Sequence, residues 1–203
     1  MSNNKGFALF YVMAALGMGS AILLPAVNKA QINAEAVQVV SNGANIYRAV
    51  FASQMNAIVL GEETSSFPAK GQFRTSTDYF KHLVGSGVLP VAYDFFAAPG
   101  IPPSKSSHPG DFSAENNAWR MVLGLDDAPE GTPFLFTRNY DPDRLQSGDA
   151  PILLNDAPPF GKSGLVVVLK GGSAYFLKGE QLRNSFFNPA ETPSGSNIVI
   201  IGP

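Results

Sequence analysis

The stretch Asn4–Ala30, "NKGFALFYVMAALGMGSAILLPAVNKA", carries no charged residue between Lys5 and Lys29. As a helix, the uncharged run of about 23 residues is roughly 34 Å long, enough to cross a hydrocarbon core of about 30 Å. It is too long for the roughly 7–15-residue apolar region of a cleavable secretory signal. The few residues before Lys5 form a short positive end, which stays cytoplasmic and sends the rest of the chain outward. The span also holds Ala14, Ala15, Gly17, Gly19, Ser20 and Ala21, small residues that let membrane helices approach closely. Gly17-x-Gly19 is not the GxxxG spacing.

Beyond Pro25 the pattern changes without a linker. Val27, Ala30, Ala34, Val37, Ala44, Tyr47 and Phe51 recur at intervals of mostly three, four or seven, the period of one helix face. Lys29, Glu35 and Arg48 fall off that stripe. Gly61 is the expected stop, with Asn42-Gly43 an earlier candidate break. Unbroken from residue 7 to 60, the helix is about 80 Å long. The roughly 140 residues that remain, one ordinary domain, cannot cover it, so its first half must find lipid or other copies of itself.

Composition narrows the rest. Of 203 residues only 15% are charged, and the net charge is -2, which leaves no basic footprint for nucleic acid. Twenty glycines and 16 prolines point to a loop-rich body, and the absence of cysteine removes disulfides and thiolate metal sites.

Lys5-Gly6-Phe7, the apolar run and "AILLPAVNKAQINAEAVQVVSNGANIYRAVF" (21–51) resemble the type IV pilin and type II secretion pseudopilin family. The resemblance covers about the first 60 residues. It implies a leader at 1–6 removed by a prepilin peptidase between Gly6 and Phe7, with methylation of the new terminus. It also implies a transmembrane half at 7–27, an amphipathic half at 28–60 and a globular head at 61–203. The implied fold is α+β and pilin-like: a long N-terminal helix packed on a small antiparallel sheet. Phe7, Tyr11 and Pro25 take the positions that serve assembly in the family. The implied location is a bacterial inner membrane, single-pass with the N-terminus inside, the head lying in the periplasm or an extracellular filament. Other pilin-like subunits, the peptidase, an inner-membrane assembly platform and the bilayer are the implied partners.

Two positions depart from the family pattern. Tyr11 stands where a Glu is usual, which suits a minor or tip component. Pro25 comes about three residues early relative to Phe7; registering on the proline would move the cut to Asn3–Asn4, where no glycine stands. A membrane-anchored binding module that never polymerises is the alternative reading.

In the body, Thr75-Ser76-Thr77-Asp78 reads as a capping box for "YFKHLV", stopped by Gly85. "PGIPPSKSSHPGD" (99–111) reads as a loop. Ser113 reads as the cap of a second helix through "AENNAWRMVL", with Ala118, Val122 and Leu125 on one face. "TPFLFT", a hairpin "GLVVVLKGGSAYFLKG" turning at Gly171-Gly172, and "NIVIIG" read as strands.

No catalytic constellation emerges, so enzymatic activity is not expected. His82 and His108 are too few for zinc and read as surface or capping residues. Asp141, Asp143 and Asp149 in "YDPDRLQSGD" are of the type that binds calcium; their spacing does not match the twelve-residue loop, and a solvated turn is the preferred reading, with no cofactor expected. "GKSG" (161–164) lacks the first phosphate-loop glycine, since Asp156 occupies that place. Trp119 and the phenylalanines read as core, with "DFFAAPG" (94–100) the one candidate exposed aromatic patch.

Overall fold

The computed structural model describes the backbone of residues 4–61, 67–145, 148–187 and 198–203, and side chains from residue 30 onward. Helix α1 spans Asn4–Val59 without interruption, through residue 25 and through Asn42-Gly43. The expected span at 7–27 falls where side chains lie outside the described residues. Among the described residues no helix is long and apolar enough to cross a membrane. The chain divides into two compact units, Met1–Ala36 and Val37–Pro203. The first is helical, with Gln31 Nε2 donating to Glu35 Oε1 at 2.8 Å along its surface.

The second unit is α+β. The rest of α1 ends where expected: Gly61 N donates to Ile58 O at 3.0 Å, and Gly61 takes φ +76°, which a glycine adopts without strain. Helix α2 (Ser76–Gly85) starts as the capping box requires, with Asp78 N donating to Thr75 Oγ1 at 3.0 Å. Among the described residues five strands follow: β1 (Trp119–Leu123), β2 (Pro133–Thr137), β3 (Leu165–Leu169), β4 (Ala174–Leu177) and β5 (Val199–Ile201). They form one antiparallel sheet in the order β4-β3-β2-β1-β5.

The helix expected through "AENNAWRMVL" is a correction. Ser113 does cap, accepting from Glu115 N, but it caps a single 3₁₀ turn at Ala114–Asn116. The chain then extends into β1. Asn117 diverts it: its Nδ2 donates to Ser76 Oγ and Thr77 Oγ1, and its Oδ1 accepts from Trp119 N. That local bonding competes with helix. Ala118, Val122 and Leu125 are buried because β1 and its flanks are covered on both sides, not because they share a helix face.

The face of α1 that the head covers also differs from the stripe read in the sequence. Within the second unit Val39, Asn42, Gly43, Ile46 and Val50 are buried, whereas Val37 and Phe51 are exposed. Two features of the inner face explain the choice. Asn42 is held as a structural side chain, its Nδ2 donating to Phe95 O at 3.0 Å and its Oδ1 accepting from Gln38 Nε2 at 2.9 Å. Gly43 lets the helix settle on the sheet: a Cβ there would lie 2.7 Å from Val168 Cγ2 and 2.8 Å from Trp119 Cη2. The β3–β4 hairpin uses a second glycine in the same way. Gly172 has φ +85°, and a Cβ on it would sit 2.5 Å from the Tyr47 ring.

Two outcomes follow. Gly43→Ala gains about 1 kcal/mol of helix propensity but overpacks the contact by about 1–3 kcal/mol, so a net loss of about 1 kcal/mol in chemical denaturation is expected; a more stable variant would mean that α1 can ride up from the sheet. Burial raises the Tyr79, Tyr93 and Tyr140 phenols above their usual range, and burial with the nearby Glu130 raises Tyr47. The native state disfavours the phenolates, so stability should be flat below the ordinary tyrosine range and fall once the unfolded chain ionises above about pH 10. Unfolding midpoints measured across alkaline pH, with tyrosinate absorbance as a second readout, check this.

Candidate interaction surface

The residues that stand out on the second unit are apolar and uncovered. Val37 is 68% exposed, Phe51 47%, Met55 44%, Ile58 52% and Val59 81%, with Leu60 beyond the helix end at 74%. Isolated exposed aliphatics are ordinary, but a run of them along one helix is not. The sequence explains why nothing dilutes the row: from Ala49 to Gly61 there is no charged side chain. Arg48, just before, turns back to Asn45 Oδ1 at 2.8 Å. Tyr47 stacks on Phe51 with ring centroids 5.9 Å apart, stiffening the row beside the head.

Between this end of α1, α2 and residues 67–73 lies an open groove of about 420 Å³. Val50, Ala57, Phe67, Phe73, Tyr79 and His82 line it. His82 sits in the last turn of α2 with its ring 5.4 Å from that of Phe73. No sequence signal announced the groove, because its walls come from three segments that only the fold assembles.

The remaining candidate residues separate rather than converge. Asp141 pairs with Arg120 at 2.7 Å, and Asp149 with Arg183 at 3.0 Å and with Ser185 Oγ at 3.1 Å. The three aspartates therefore do not share a cation-binding centre, and among the described residues no group of three or more potential ligands stands together. His108 caps a 3₁₀ turn, its Nδ1 accepting from Gly110 N at 3.0 Å. Ser106 donates to Asp111 rather than to His108, so these three do not form a nucleophile–base relay. "GKSG" forms a 3₁₀ turn, with Lys162 in a loose 3.9 Å pair with Asp156.

Trp119 is fully buried, as are Phe80, Tyr93, Phe96, Phe112, Phe134 and Phe136. The exposed patch expected at "DFFAAPG" is a correction: Phe96 is buried, stacked on Phe80 at 4.5 Å and packed on Phe112 at 5.2 Å. Gly6, Phe7, Tyr11 and Pro25 lie on α1 where side chains are outside the described residues. Comparison with protein-family models, with characterised proteins and with solved structures finds no match to this chain.

The two faces of α1 should respond oppositely to polar substitution. Phe51→Ser and Ile58→Ser should each change stability by about 0.5 kcal/mol or less and reduce binding of an apolar fluorescent dye. Ile46→Ser, on the buried face, should cost about 3 kcal/mol or more. Equal losses on both faces in denaturant titrations would mean that the outer row is covered within the monomer.

Proposed function

We propose that this chain is a pilin-like structural subunit of a type II secretion or type IV pilus-like system. The observation that carries the reading is the two-sided helix. One face of α1 from Val39 to Val50 holds the head, while the row from Val37 to Val59 is left apolar and open. The same helix begins with the uncharged 6–28 segment. A soluble domain gains nothing from such a helix; a subunit that passes from bilayer to filament uses all of it. The leading half would sit in lipid and then exchange lipid for neighbouring helices, and the head would choose the neighbours. No catalytic step is involved. Tyr11, with only a neutral hydroxyl where the family has a carboxylate, fits a minor component that starts or caps assembly. The second reading is the anchored, non-polymerising binding module. The open groove beside His82 favours it, as a place for a ligand of the head.

Processing and assembly can be tested separately. Co-expression with a prepilin peptidase should remove residues 1–6 and leave a methylated Phe7, read by intact mass; Gly6→Ala should block this. Ala15→Asp should leave the head folded and eliminate the subunit from sheared filaments. An unchanged mass with the peptidase present would favour the anchored module, and normal incorporation of Ala15→Asp would end the assembly reading.

A further inference from the structure

The groove beside α2 holds polar groups that the head leaves unused. Tyr79, on its lining, is only 4% exposed, yet among the described residues its hydroxyl makes no hydrogen bond. A hydroxyl held so deeply is costly to leave unpaired, and the groove is where a ligand can reach it. Gln72 Oε1 accepts from Ala69 N at 3.0 Å, which leaves Nε2 as the free, donating end of that amide. Across from them α1 presents Gln54, half-buried between the turns of Val50 and Ala57, and its side-chain amide is also unpaired among the described residues. His82 stands exposed at the rim. Among the described residues that line the groove there is no Lys, Arg, Asp or Glu. The rings do not form a flat platform. Phe73 meets Tyr79 at 72° and His82 at 47°, with centroids 5.2 and 5.4 Å away, so this side is a set of ridges with clefts between them.

We propose that the groove receives a proline-rich segment of a partner protein in the polyproline II conformation. Three features select that occupant. First, a polyproline II backbone has no internal hydrogen bonds, and proline has no N–H, so the segment offers carbonyl acceptors and few donors. The Tyr79 hydroxyl and the Gln54 and Gln72 amides supply the donors it lacks. Second, an uncharged lining suits a neutral segment and would leave a charged one desolvated without a partner. Third, ridged aromatic walls take pyrrolidine rings into their clefts, the way proline-rich segments are read in aromatic-lined grooves. A saccharide would instead need a flat ring face to stack on. The preformed helix of such a segment also loses little chain entropy on docking, which suits an open groove rather than a closed pocket. The inference rests on the reading of this groove as the head's ligand site, and it serves an anchored module and a filament subunit alike.

The probe is fluorescein-labelled decaproline, titrated with the full-length chain in detergent micelles and read by anisotropy against empty micelles. Unlabelled decaproline, a Gly-Ser peptide of equal length and a neutral oligosaccharide serve as competitors. Saturable binding displaced by decaproline alone is expected. Tyr79→Phe keeps the ring and removes only the hydroxyl; it should weaken binding roughly fivefold while leaving the unfolding midpoint unchanged or raised. His82→Ala, at an exposed position, should also weaken it, and Tyr175→Phe, on β4 and outside the groove, should not. Absence of saturable binding to decaproline, or binding that Tyr79→Phe and His82→Ala leave unaltered, overturns the proposal. Displacement by the oligosaccharide that depends on Tyr79 would overturn the peptide assignment and keep the groove as a ligand site. Should none of the probes bind, the peptide assignment falls together with the ligand-site reading, while processing and filament entry are judged by their own tests.

Discussion

Trp119 is where the second unit is tied together. Its indole edge meets α1 at Gly43, close enough that a methyl group on that glycine would overlap it. Its carbonyl accepts from Ser76 Oγ at 2.7 Å, which fixes the first turn of α2. Its backbone N–H donates to Asn117 Oδ1 at 3.0 Å, and Asn117 Nδ2 in turn donates to Ser76 and Thr77. Ser76 N reaches Gly202 O at 2.7 Å, drawing the end of β5 into the same knot. One residue therefore sets the height of α1 above the sheet, the start of α2 and the entry into β1. The backbone of Trp119 and the side chains of Ser76 and Asn117 satisfy one another in this knot, which makes their burial favourable, whereas the buried Trp119 Nε1 has no hydrogen-bond partner. A helix seated by such a contact has little freedom to rotate, and its other face stays outward.

How much of this was legible follows from which residues announce their surroundings. The C-terminal end of α1, the cap of α2 and strands β2 to β5 were readable because Gly61, Thr75 and the β-branched runs around Gly171-Gly172 act locally. Strand β1 was not. Its apolar run is buried on both sides, so it lacks the alternation of a half-exposed strand, and Ala118, Val122 and Leu125 imitate helical spacing by accident. The aromatic pair at Phe95-Phe96 misled for a related reason. A neighbouring Pro/Gly-rich segment looks solvated, but Asn116 Nδ2 reaches the carbonyls of Pro102 and Pro103 at 3.2 Å each and holds it near the Phe80–Phe96–Phe112 cluster. The acidic loop could not be read alone, because the partners of Asp141 and Asp149 are arginines 21 and 34 residues away.

The helix face was the instructive failure. Hydrophobic spacing finds apolar stripes but does not say which one a given sheet will cover. On α1 there are two, roughly 100° or more apart at 100° per residue. The stripe with larger and more regular side chains, through Val37 and Phe51, is the one left out. The one taken in contains an asparagine and a glycine, which hydrophobicity ranks low. Close approach at Gly43 and the hydrogen bonds of Asn42 outweigh the larger side chains, because a flat site for the Trp119 edge cannot be made from a Phe or a Val.

That choice has an energetic consequence for association. Full burial of a Val, Leu, Ile, Phe or Met side chain is worth about 1.5–3 kcal/mol, and those of the outer row are only partly covered in the monomer. Covering the row therefore offers a gross gain on the order of 5–10 kcal/mol. Loss of rigid-body freedom costs roughly 4–15 kcal/mol on association. In free solution the two nearly cancel, and pairing through this face alone would be weak. Under the proposed membrane-anchored reading, confinement to a bilayer would change the balance, because chains held at one depth and one orientation would already have lost much of that freedom, and a high effective concentration would do the rest. An outer row too weak to aggregate heads in solution would, on the proposed reading, suit a subunit whose association waits until its carriers are tethered side by side.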